Sequence, residues 1–189
     1  MQANNSQYFR FDDISINTEI ELLDLCTKEV KRKLPSFEII YGINPLVFDM
    51  SGENNCDCQR PFPKILNAFS DHTEYYKIDF CEMPELPEDD RIIKASHGLV
   101  HVDHRLMNFE AQELSIVTSC SLAKCRLFIP PFNKWNLDTL KVCEKHDLEL
   151  VKFEDGWKCI EYNDFDKSHG LWYCHHREFT IESFKKCLI

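Results

Sequence analysis

Residues 9–41 carry two short apolar runs on either side of one amphipathic run, and that order restricts the chain to few fold classes. Phe9, Phe11, Ile14 and Ile16 mark a strand over 9–17, in which Asp12 and Asp13 interrupt the alternation. Thr18 is placed to cap a helix over 19–33. There Ile20, Leu23, Val30 and the intervening Leu22 and Cys26 recur at helical intervals, with acidic residues early and basic residues late, as the helix dipole favours. Leu34 and Pro35 end this helix. Phe37 to Tyr41 then predicts a buried strand closed by Gly42. Two strands joined through a helix form a parallel pair with a right-handed crossover, the unit of α/β sheets.

The remaining pattern extends that unit. Residues 50–63, with Gly52, two asparagines, Cys56, Cys58 and two prolines, read as an irregular loop, followed by a short helix over 66–69 and a strand over 75–81. A helix is expected over 91–108 with Gly98 as an interruption, then a strand over 114–119, an amphipathic helix over 137–146 and a strand over 148–153. Repetition of strand and helix in this order argues for a three-layer α/β sandwich.

Composition narrows the function. With 189 residues, 43% of them hydrophobic, the chain is long enough for one domain with a sizeable core. It has no apolar run of membrane-spanning length, and Met1 to Ser6 lack the features of a secretory signal, so an intracellular, soluble protein without a membrane partner is expected. A net charge of -10 argues against nonspecific attachment to nucleic acid, and no DNA partner is expected. Lys28, Lys31, Arg32 and Lys33 form the densest basic group, at the spacing of a solvated helix face. The ten cysteines contain no CxxC pair and read mainly as small buried hydrophobes.

Metal chemistry stays open as a rival. Cys56, Cys58, His97, His101, His104, Cys174, His175 and His176 offer ligand types that suit zinc, and His97 with His101 could face one ion from a helix. Without a CxxC or HExxH frame, the histidines read as scattered surface residues and no metal ligand is assigned. No cysteine is framed as a catalytic nucleophile.

One stretch invites comparison with a known family. Val117 and Thr118 as a strand end, Pro131, Phe132 and Trp135 as a helix start, and Leu148, Leu150 and Phe153 as the next strand resemble the 25S rRNA uridine-N3 methyltransferase-like family. Trp157, Lys158, Cys159, Tyr162, Asp166, Lys167 and Ser168, continued by Phe179 and Thr180, are similar to the methyltransferase-like region of ferredoxin-fold anticodon-binding domain-containing proteins. Upstream, Ile16 to Glu19, Gly42 to Leu46 and Cys81 to Glu85 resemble further turns of that family, so the likeness spans 8–180 and leaves 181–189 as a tail.

The resemblance implies a Rossmann-like methyltransferase sandwich that lacks its first strand and the glycine turn used to approach S-adenosylmethionine. It implies methyl transfer from that cofactor to a uridine nitrogen of rRNA, in the cytoplasm or nucleolus. Glu19 would face the ribose hydroxyls and Asn44 the adenine, with Trp135, Lys158 and Tyr162 on the substrate side. The plainer readings are a first-turn helix acid for Glu19, a turn residue for Asn44, a core anchor for Trp135 and a half-exposed strand for Lys158 and Tyr162. The absent glycine turn favours a non-catalytic binding or scaffold derivative, or a truncated product with an empty slot in mid-sheet.

Overall fold

A computed structural model describes residues 7–15, 18–45, 48–49, 77–78, 85–99, 101–162, 164–175 and 179–188. The loop and helix expected within 50–69 lie outside the described residues, as do Cys56, Cys58 and His176. The expected strand over 75–81 is described only at Lys77–Ile78.

Seven parallel strands form one curled sheet in the order β7-β6-β5-β2-β1-β9-β8. They are β1 (Gln7–Ile14), β2 (Phe37–Ile43), β5 (Ile92–Ser96), β6 (Leu127–Phe128), β7 (Glu149–Leu150), β8 (Lys158–Cys159) and β9 (Leu171–His175). Two further strands, β3 (Phe48–Asp49) and β4 (Lys77–Ile78), pair antiparallel apart from this sheet. The helices are α1 (Ile20–Lys33), α2 (Phe109–Leu122), α3 (Leu137–Lys145) and α4 (Ile181–Cys187).

The expected β1–α1–β2 unit is present, and β1 lies beside β2 in parallel register from Gln7↔Phe37 to Phe11↔Tyr41. Period-two alternation sorts its side chains. Phe9, Phe11, Phe37, Ile39 and Tyr41 join Leu23, Cys26 and Val30 of α1 and Phe184 of α4 in the largest core. The alternate positions carry Tyr8, Arg10 and Asp12 on β1. On the neighbouring strands Ile40, Ala95 and Tyr173 pack with Ile129 and Trp157 in a separate cluster. Leu23, Cys26 and Val30 recur every three or four residues along α1, which is why one face of that helix is buried. The opposite, basic face is neutralised locally by Lys28–Asp24, Arg32–Glu29 and Lys31–Asp89 ion pairs.

Several expectations are corrected. Residues 91–108 do not form a helix: Ile92–Ser96 is β5, and Gly98 with φ 87° turns the chain into a loop that ends in a short 3-10 turn at His104–Leu106. Residues 114–119 are not a strand but the middle of α2, capped by the Asn108 side chain accepting from the Ala111 amide. The periodicity of α2 is blurred because polar Gln112, Ser115 and Ser119 are buried while Leu114 and Leu122 are exposed. Val117 and Thr118 are therefore helical, and no strand ends there. Pro131–Asn133 is a 3-10 turn, and the helix that follows starts only at Leu137.

The sheet has no vacancy beside β1. That strand pairs with β2 on one side and β9 on the other, so it is central rather than the second strand of an incomplete sandwich. A Rossmann-like methyltransferase sandwich is thus replaced by an α/β half-barrel. Ile181–Cys187, expected to trail as a tail, forms a helix with a Thr180–Ser183 capping box and a fully buried Phe184.

Candidate metal centre

Parallel sheets place functional groups beyond the carboxyl ends of their strands, where connecting loops converge. Here β1 ends in Asp12 and Asp13, β5 ends just before His97, and β9 ends in His175. Between Phe11 and Ile14 the register to β2 slips by one residue, from Phe11↔Tyr41 to Ile14↔Ile43. Asp13 occupies this bulge with φ 63°, a left-handed conformation that costs a non-glycine residue about 1 kcal/mol or more. A regular strand would send Asp12 and Asp13 to opposite faces. The bulge instead brings Asp13 to the loop that follows β5.

Asp13 Oδ1 lies 3.2 Å from His101 Nε2 and 3.7 Å from His97 Nε2. One ligand atom from each of these three residues falls within 4.8 Å of the others, and all three side chains are buried or nearly so. His97 Nδ1 is 2.9 Å from the Ile129 carbonyl. A carbonyl only accepts, so Nδ1 carries a proton and fixes the ring with Nε2 toward Asp13. One carboxylate and two imidazoles make a donor set that suits a divalent cation.

The loop bearing both histidines is held from several sides. Asn44, buried, donates through its side-chain amide to the carbonyls of His97 (2.5 Å) and Gly98 (3.2 Å). Ser96 Oγ accepts from the Gly98 amide and bonds to Ser119 Oγ on α2. His104 sits behind them, fully buried, with Nδ1 donating to the Val102 carbonyl at 3.1 Å and Nε2 2.9 Å from Ser115 Oγ. Burial drives the His104 pKa down to about 4, so this ring is neutral. The ring of Phe132, itself at φ 58°, meets that of His101 edge-on at 4.4 Å.

Asp12 is held differently. Arg10, two residues earlier on the same side of β1, grips it with a guanidinium fork: Nε to Oδ1 at 2.8 Å and Nη2 to Oδ2 at 2.9 Å. Arg10 is wholly buried, which an isolated charge does not tolerate. Besides Asp12 it donates to Asn133 Oδ1 at 2.6 Å, and its guanidinium lies 4.7 Å from the Trp157 ring centre and 4.8 Å from that of Tyr173. Gly42 on β2 makes space for this pair, since a Cβ there would lie 3.0 Å from Asp12 Oδ1.

Across the strand boundary Asp12 is in register with His175. Glu161 Oε1 accepts from the His175 amide at 2.6 Å and lies 3.6 Å from His175 Nδ1. Burial acts to lower the His175 pKa, but the bond to Glu161 and the charges of Asp13, Asp12 and Glu161 overcome it and lift the group to about 9. Cys159 donates its thiol to Glu161 Oε2, and burial, followed by that contact, pushes the thiol up to about 12.

The residues singled out from sequence are dispersed. Glu19 is exposed at the start of α1, and Asn44 is the buried brace of the histidine loop. Trp135 is half-buried under the Lys152 ammonium, 5.4 Å from the ring centre. Lys158 on β8 reaches over Trp172 at 5.5 Å, and Tyr162 is 78% exposed. His97 and His101 do converge, from a loop and not from a helix. Sequence reasoning missed Arg10, Asp12, Asp13 and Glu161. The available signal was three charged residues inside a run otherwise dense in buried apolar positions, an arrangement that costs too much to be incidental.

No protein-family model matches the sequence, and a search of curated proteins finds no significant relative. Solved structures of similar fold do exist. One is a family 4 carbohydrate esterase from Streptomyces lividans in complex with acetate, 11% identical with a TM-score of 0.55, over 98% of this chain and 84% of the other. Another is a peptidoglycan N-acetylglucosamine deacetylase in complex with 4-naphthalen-1-yl-N-oxidanyl-benzamide, 10% identical with a TM-score of 0.55, over 98% and 81% of the two chains. A family 4 pseudoenzyme from Bacillus anthracis is 8% identical with a TM-score of 0.57, matching all of this chain and 60% of its own. At such identities the likeness is one of fold.

These findings overturn the resemblance to the 25S rRNA uridine-N3 methyltransferase-like family, and with it RNA methylation as the activity and rRNA processing as the context. The three structures named are a carbohydrate esterase, a deacetylase and a pseudoenzyme of the esterase family. S-adenosylmethionine as cofactor and rRNA as partner rested on that resemblance alone.

Proposed function

We propose that this chain is a metal-dependent hydrolase that removes acetyl groups from an acetylated carbohydrate. The observation that carries the reading is the convergence of Asp13, His97 and His101 at the carboxyl edge of the sheet, with Asp12 and His175 beside them. The donor set fits a divalent cation of the zinc type, held by Asp13, His97 and His101. Such an ion, when bound, supplies Lewis acidity toward a carbonyl oxygen and toward water.

The chain's own residues supply the proton transfers. Asp12 accepts the proton of the attacking water, held in place by the Arg10 fork and kept clear by Gly42. His175, charged at neutral pH, donates a proton to the departing oxygen or nitrogen of the sugar while acetate is released. Glu161 orients His175 and stabilises its charged form. The shared fold of an esterase in complex with acetate and of an N-acetylglucosamine deacetylase supports the choice of acetyl group and sugar.

A second reading is a carbohydrate-binding relative without turnover. It is favoured by the Arg10 fork, which engages both oxygens of Asp12 and leaves fewer lone pairs for water. One of the structures of similar fold is a pseudoenzyme. Acetate release from acetylated chito-oligosaccharides and from O-acetylated xylan, measured after loading with zinc, cobalt or nickel, separates the readings. Metal-dependent release that is lost in Asp13→Asn supports hydrolysis. Metal and sugar binding without release supports the second reading, and absence of metal binding at this triad overturns the first.

A further inference from the structure

A second group of ligand-type side chains lies on the same edge of the sheet. β8 ends at Cys159, and its parallel register with β9 sets Cys159 opposite Tyr173, two residues before His175. Glu161 follows β8 by two residues and folds back between them. One atom each of Cys159, Glu161 and His175 falls within 4.8 Å of the other two, and Cys159 is buried while its companions are half-buried. The Cys159 thiol contacts Glu161 Oε2, and His175 Nδ1 stands 3.6 Å from Glu161 Oε1. Both carboxylate oxygens are thus engaged, one toward sulfur and one toward nitrogen.

The donor chemistry differs from that of the first cluster. A thiolate, an imidazole and a carboxylate make a softer set than one carboxylate with two imidazoles, and they favour zinc over magnesium or calcium. We propose that Cys159, Glu161 and His175 form a second divalent-cation site, selective for zinc-like ions and separate from the Asp13, His97 and His101 cluster. Loading forms a metal–sulfur and a metal–nitrogen bond and breaks the S–H bond of Cys159 and one N–H bond of the charged His175, releasing both protons to solvent with no change of oxidation state. Resting on the proposed hydrolysis, one consequence follows: an ion at this site takes the His175 imidazole and so removes the proton donor. The first ion would activate and the second would silence.

Cobalt titration of the metal-free, full-length chain tests this, because cobalt replaces zinc and reports thiolate ligation through an intense near-ultraviolet charge-transfer band. The wild-type chain is expected to take up two equivalents, one of them accompanied by the band. Cys159→Ser should lose the band and that equivalent. Glu161→Gln should keep the thiol yet weaken the same equivalent about tenfold or more, which guards against a folding defect in the serine variant. Absence of the band from the wild type, or a band undiminished in Cys159→Ser, would overturn the site. Asp13→Asn should retain the band and lose the other equivalent; unchanged stoichiometry there would defeat the hydrolytic centre while leaving this one standing. With acetylated chito-oligosaccharide as substrate, suppression by the second equivalent should disappear in Cys159→Ser, and its persistence would refute the competition for His175.

Discussion

Acidification should remove a defined part of this protein's stability through His104. Its ring is fully buried against Phe128, with centroids 5.3 Å apart, and both nitrogens are committed to Val102 and Ser115. Burial lowers its pKa from 6.5 to about 4 in the folded chain. The unfolded chain therefore binds more protons between those values, so this contribution is complete above about pH 6.5 and is lost as pH falls toward 4. Each pKa unit corresponds to about 1.4 kcal/mol, so roughly 2 kcal/mol should be gone by about pH 5 and about 3 kcal/mol by about pH 4. Urea unfolding of the metal-free chain at about pH 7.5 and about pH 5, repeated on His104→Asn, isolates the effect as a difference of differences. The variant starts lower because packing is lost, yet it should shed about 2 kcal/mol less over the same interval. Equal losses in the two proteins would refute the assignment of His104 as a buried neutral ring.

Gly42→Ala should test the space around Asp12, because the new methyl group would lie 3.0 Å from Asp12 Oδ1 and 3.4 Å from the Phe11 carbonyl. Acetate release should fall about tenfold or more and stability by about 1–3 kcal/mol in denaturant unfolding; full activity would show that Asp12 has room to move. Phe184→Ala should cost about 3–5 kcal/mol in denaturant unfolding, since its ring lies 5.3–6.0 Å from those of Phe9, Phe11 and Phe179. A cost below about 1 kcal/mol would mean that α4 is not integral to the core.

The fold was legible where local pattern and tertiary burial agree. In β1, α1 and β2 the periodicity of Phe9, Phe11, Leu23, Val30 and Ile39 is the periodicity of their burial. It was illegible in α2, where Gln112, Ser115 and Ser119 are buried to serve Thr139, His104 and Ser96 and so erase the amphipathic signal. The curl of the sheet and the place of β9 beside β1 leave no local trace. The candidate site shows the same division. His97 and His101 were visible as a pair, but their third partner is Asp13, 84 positions earlier than His97 and brought to them by a bulge. The Pro131 to Trp135 segment was rightly conspicuous for another reason than the one inferred, since Phe132 packs on His101 and Asn133 holds Arg10.

The pairing of β1 with β9 also has a consequence for synthesis. Asp12 meets its register partner His175 only after about 160 further residues have left the ribosome, which at about 5–20 residues per second takes roughly 8–30 s. During that interval β1 can dock on β2 but keeps one edge open, with Arg10 and Asp12 not yet roofed by Tyr173 and Trp157. Nascent chains are therefore exposed to edge-to-edge association until the last strand arrives. Chaperone dependence in the cell should end at that step, when β9 closes the sheet over the oldest part of the chain.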